Sequence, residues 1–109
     1  IELKNLSFET PGILNKRGVK VGIITDAPVI PQQYLPLCAG LAVKSGMDEM
    51  EALKAITIYP AEIVGIADRV GSIEAGKDAD IVIFDGNPIK DLGCETYATI
   101  GIFRKRCIY

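Results

Sequence analysis

The sequence contains no histidine among its 109 residues. That removes the commonest general base near neutral pH and the commonest transition-metal ligand. Cysteine is sparse: Cys38, Cys94 and Cys107 are odd in number, far apart and without a CxxC pair. Such a set signals neither a zinc knuckle nor a disulfide framework and fits a reduced, cytoplasmic protein. No apolar run approaches the roughly 18 residues of a membrane span. Basic charge is also short. With 12 Lys and Arg against 14 Asp and Glu, the net charge is -2, which leaves no footprint for nucleic acid or an anionic membrane surface. The one dense basic cluster, Arg104-Lys105-Arg106, lies between strand-like residues and reads as a solvated turn. Gly71, Gly76 and Gly86 are turn formers, since the phosphate-loop and dinucleotide spacings are absent. The chain opens Ile1-Glu2-Leu3-Lys4, with neither an initiator methionine nor a signal peptide, as if taken from something longer.

What is present is ordinary globular material. The sequence is 49% hydrophobic and 24% charged, enough apolar residues for the core of one domain. Thr10 can cap a short helix that has Pro11 in its first turn and Gly18 as its stop. Val19 to Thr25 is β-branched and nearly uncharged, the pattern of a strand buried on both faces, as in parallel sheets. From about Gln32 to Lys44, Leu35, Ala39, Ala42 and Val43 fall at helical spacing, widened by Leu37, Cys38 and Leu41. Pro36 is tolerable there only in the first turn. Asp48 with Glu51 forms a capping-box pattern. It opens a helix over Glu49 to about Ile58 that buries Met50, Ala52, Leu53 and Ile56. Tyr59-Pro60 breaks that helix, and a further short one from Pro60 to Val64 stops at Gly65. Beyond Val70 the chain becomes glycine-punctuated. Asp80 to Phe84 reads as a strand, Asp85-Gly86-Asn87-Pro88 as a turn, and Tyr97–Phe103 and Arg106–Tyr109 as two more strands.

Asp26 is the residue best placed to carry chemistry. It ends an apolar strand, and in parallel α/β barrels that end of each strand faces the active site. A carboxylate there can bind a metal or take a proton from a metal-bound water. An Asp after a strand also serves as a helix cap or turn former, and both readings stand on position alone. Asp78 and Asp80 alternate into a strand, where capping or salt bridging suits them better than acid–base work. Tyr34 and Tyr59 could line a pocket or simply pack on their helices. Gln32 and Gln33 follow Asp26 after a short loop and could touch a substrate.

Three segments, taken together, resemble a known family. Val70-Gly71-Ser72-Ile73-Glu74-Ala75-Gly76-Lys77-Asp78-Ala79-Asp80-Ile81-Val82-Ile83-Phe84-Asp85-Gly86-Asn87-Pro88 is similar to the signature that amidohydrolases carry after their barrel. Met50 to Glu62 resembles the helical segment that precedes that signature. Gly18 to Pro28 resembles the eighth barrel strand with its metal-site aspartate. Within the family the likeness is to imidazolonepropionase-like and related cyclic-amide hydrolases. The resemblance implies an α/β fold: the last strand and helices of a (β/α)8 metal-dependent hydrolase barrel over residues 1–68, and the C-terminal strands of a flanking small β-sandwich over 69–109. It implies Asp26 as both metal ligand and catalytic general base. The reaction expected is hydrolysis of a non-peptide C–N bond in a small cyclic amide or amidine, assisted by a divalent metal, zinc or iron. The remaining ligands of that family are a His-x-His pair and two further histidines, so this chain is expected to be inactive alone and to bind no stoichiometric transition metal.

Two departures from the family pattern stand out. Ala27 occupies a position where several relatives have histidine, and Arg104-Lys105 replaces the Asp-Gly or Asn-Gly turn between the last two strands. Neither of these basic residues accepts positive φ as glycine does, so a different turn is expected. The other expectation is of a different class, a non-catalytic folding or association module. Open strand edges and apolar faces would then drive self-association into a homo-oligomer.

Overall fold

Helices fill the first half of the chain and a two-stranded ribbon follows. The computed structural model describes residues 7–82, 84, 86–91 and the backbone of 103–106. Helix α1 spans Thr10–Lys16, α2 Leu35–Lys44, α3 Glu49–Ala55 and α4 Ile58–Ile63; a single 3-10 turn, Gln32–Tyr34, leads into α2. Strands β1 (Asp78–Ile81) and β2 (Phe103–Arg106) pair antiparallel.

The helix boundaries follow from local chemistry. Pro11 and Pro36 both sit in first turns, where no N–H is needed. Thr10 does not cap α1, because Glu9 occupies that position and Thr10 is already helical. Asp48 caps α3, accepting the main-chain N–H of Glu51 at 3.1 Å. The expected long helix divides: α3 ends at Ala55 and α4 begins at Ile58. Thr57 turns its hydroxyl back to the Leu53 carbonyl at 2.7 Å, a bond that competes with the helical ladder. Pro60 is therefore not the breaker; it is the third residue of α4, still in the first turn. Met50, expected inside, is 57% exposed.

The segment Val19–Thr25 forms no regular secondary structure and pairs with no strand among the described residues. β-branched residues favour extension, yet a strand is defined by a ladder, and no second strand lies alongside among the described residues. Its ties to the helices include the N–H of Val19, donated to the Leu14 carbonyl at 3.1 Å, the N–H of Ile23, donated to the Ala55 carbonyl at 2.8 Å, and the ion pair of Lys20 with Glu62. No barrel is formed among the described residues; the observed sheet is β1 with β2 alone. Strand β1 also starts two residues before the expected Asp80, because Asp78 is fixed by Arg69. The Arg69 carbonyl accepts the Asp78 N–H at 2.8 Å, and the guanidinium meets the Asp78 carboxylate at 2.6 Å. Arg104, Lys105 and Arg106, expected in a turn, lie in β2 with Asp80, Ala79 and Asp78 opposite them. Extended pairing suits these side chains better than the positive φ of a tight turn. Most of the expected strands Tyr97–Phe103 and Arg106–Tyr109, together with Cys94 and Cys107, lies outside the described residues.

The core is built of small side chains. Ala39 and Ala42 of α2, Met47, and Ala52 and Ala55 of α3 cluster with Ile89, which is 2% exposed. Small residues let α2 and α3 approach closely, and the helices are linked by the turn at Gly46, whose φ is 104°. Gly12 of α1 lies against Met47, where an added Cβ would come within 3.2 Å of main-chain atoms. Ile89 enters this core from beyond β1. Asn87 holds it there, accepting the Ile89 N–H at 3.0 Å and donating to Glu49 of α3 at 2.9 Å. No helix among the described residues is long and apolar enough to cross a membrane.

Candidate functional site

Asp26 follows the apolar run at residues 19–25 and is exposed. Its φ of 54° places it in the left-handed region, which costs a non-glycine residue about 1–2 kcal/mol. Asp tolerates this better than most, and such conformations gather at functional sites. The Asp26 carbonyl accepts the Val29 N–H at 2.9 Å, so the chain turns sharply and returns toward α2. Pro28 and Pro31 stiffen this loop, and Gln32 follows directly at the start of the 3-10 turn.

That return creates a cleft of about 370 Å³, in which Thr25, Asp26 and Gln32 are the polar lining residues and Ile23, Leu35 and Ile56 contribute apolar walls. Thr25 is 7% exposed and was not singled out by its sequence position; a threonine closing an apolar strand is an ordinary β-former. A larger cavity of about 670 Å³ lies on the other side of Gln32, Leu35 and Ile56, which line both. Its remaining walls include Gly71, Ile73 and β1. Gln33 lines only the larger cavity.

Two of the other polar candidates, Asp78 and Tyr59, are held in pairs of their own. Asp78 is paired with Arg69. Tyr59 donates its hydroxyl to Glu51 at 2.7 Å, and the same carboxylate accepts Asn15 from α1 and Lys54 from α3, each at 2.8 Å. The Lys54 ammonium, then the Tyr59 and Asn15 donors, lower the Glu51 carboxyl to a pKa of about 2. Glu51 is thus a structural junction of three helices, and its side chain is not returned to the Asp48 N–H as a full capping box would have it.

The fit to a metal can be judged from the donors present. A zinc site takes three or four N, S or O ligands. Among the described residues no group of three or more His, Cys, Asp or Glu side chains converges, and the sequence has no histidine. Asp26 fits as a single ligand. The residues here do not assemble a metal site by themselves.

Comparison with known proteins identifies the family. Residues 8–108 match the Amidohydrolase family. An imidazolonepropionase of Thermoplasma volcanium is 46% identical over 81 residues, 72% of this chain and 20% of that protein. An imidazolonepropionase of Brevibacillus brevis is 46% identical over 72 residues, 63% of this chain and 17% of that protein. The crystal structure of an amidohydrolase from Thermotoga maritima MSB8 superposes with a TM-score of 0.78 at 44% identity, over 83% of this chain and 24% of that one. The chain spans between 17 and 24% of the length of these three relatives. It belongs to the amidohydrolase family.

Proposed function

We propose that this chain supplies one carboxylate, Asp26, to a hydrolytic centre that opens a non-peptide C–N bond in a small cyclic amide or amidine. In this reading residues 1–68 close a (β/α)8 barrel and residues 69–109 belong to a flanking β-sandwich. The observation that carries it is the place of Asp26: exposed at the carboxyl end of an apolar run, lining a cleft of about 370 Å³. Imidazolonepropionases among its relatives support the substrate class.

The chemistry available to Asp26 is proton transfer. As a carboxylate it holds a water beside the scissile carbon, takes its proton as the oxygen attacks, and returns that proton to the nitrogen as the C–N bond breaks. Ile23, Leu35 and Ile56 supply apolar walls beside it. A divalent metal, zinc or iron, belongs to this reading with Asp26 as one ligand and the others drawn from outside the residues described. The free thiol of Cys38 accords with a reducing, cytoplasmic setting.

The test is Asp26→Asn in the full-length enzyme. Turnover should fall about a hundred- to ten-thousandfold with the folded structure retained; near-normal turnover removes Asp26 from the reaction. A second reading, a non-catalytic association module, is favoured by the apolar side chains left uncovered. Ile24 is 74% exposed and Val29 76%.

A further inference from the structure

Among the described residues Gln32 is the one besides Asp26 that brings a flexible polar side chain to the cleft, and it also lines the larger cavity behind it. Among the described residues its side chain has no hydrogen-bond partner, whereas Asn15, Asn87 and Glu51 are all engaged. Its place is fixed from both sides. The Val29-to-Asp26 bond folds the loop back, and the Tyr34 N–H bonds the Pro31 carbonyl at 3.0 Å to anchor the turn that carries Gln32. A carboxamide at this point faces the same space as the Asp26 carboxylate.

We propose that Gln32 is a specificity-determining residue that reads the edge of a ring amide. The inference rests on the hydrolytic reading of Asp26 and narrows its substrate. An amide closed in a small ring is held cis, so its N–H and C=O lie side by side on one edge. A glutamine carboxamide offers an acceptor and a donor with the same side-by-side spacing, and the two edges join through a pair of hydrogen bonds. An open-chain trans amide points its N–H and C=O in opposite directions and can satisfy only one of them. A carboxylate in place of Gln32 could accept the ring N–H and would repel the carbonyl. Leu35 and Ile56 give the ring apolar surface to rest against beside those two bonds.

The test is a kinetic comparison in the full-length enzyme of Gln32→Ala, Gln32→Glu and Asp26→Asn. The probes are a five-membered cyclic amide and its ring N-methyl derivative. Loss of two neutral hydrogen bonds should raise KM for the cyclic amide about ten- to a hundredfold in Gln32→Ala, with kcat within about threefold. Gln32→Glu, which keeps the length and shape, should raise KM as well. N-methylation should already have weakened binding to the unsubstituted enzyme, so Gln32→Ala should add much less to its KM. A KM unchanged by Gln32→Ala, or raised by the same factor for both probes, overturns the role of Gln32. A fall confined to kcat overturns it too. If Asp26→Asn turns over normally, or neither ring is opened by the unsubstituted enzyme, the underlying hydrolytic reading fails instead.

Discussion

Two glycines show how differently one residue type can matter. Gly71 has a φ of 92°, and an added Cβ would lie 2.8 Å from the Ala61 Cβ and 3.0 Å from the Ile58 Cα. Gly76 has a φ of 87° with open space around it. Gly76→Ala should therefore cost only the left-handed strain, about 1–2 kcal/mol. Gly71→Ala adds overpacking against α4 and should cost roughly 2–4 kcal/mol. Urea midpoints of the two variants, measured side by side, check this; equal losses would mean that the loop does not press on α4. At this scale much was legible beforehand. Gly18 and Gly65 end their helices with positive φ, as glycines after a periodic run should, and Asp26 stands exposed at the end of its apolar segment. Thr25 was not legible, because nothing in its neighbours distinguishes a cleft wall from an ordinary strand residue.

Among elements, the Glu51 carboxylate joins α1, α3 and α4 through Asn15, Lys54 and Tyr59. Its folded pKa is about 2, lowered from the ordinary 4.5. A depressed carboxylate stabilises fully above its unfolded pKa and loses that contribution as protons bind. Acid titration should therefore weaken the helical unit progressively from about pH 4.5 toward pH 2. Glu51→Gln should lower the urea midpoint at pH 7 and flatten its fall over that window; an unchanged acid profile would show that the junction is not coupled to folding. The helix that carries Glu51 and Lys54 was legible from the Asp48 capping pattern. Asn15 was not, since a partner 36 residues away is chosen by tertiary packing. The same limit applies to the strands. The β-branched run at Val19–Thr25 predicts extension, but which strand flanks it is a property of neighbours, and the register of β1 with Arg104–Arg106 depends on a long return that no local pattern encodes.

At the scale of the whole molecule, apolar surface is left open. Ile24, Val29 and Ile73 are among the most exposed large side chains, and the apolar run at residues 19–25 has no strand beside it among the described residues. Contiguous apolar surface and unpaired main chain both favour association with another chain. The 109-residue chain by itself should show a mass above monomer in light scattering at high concentration, and a clean monomer there would contradict this. The family and the helix-rich character of the first two thirds could be read from residue pattern alone.

Ile89 adds a mechanical consequence. Because this side chain is seated among Ala39, Ala42 and Ala55 while Asn87 grips Glu49, the stretch after β1 works as a latch on the helices before it. A single protease nick in the exposed loop around Glu74–Gly76 would then leave two pieces still fastened together, separable only once the helical core itself gives way.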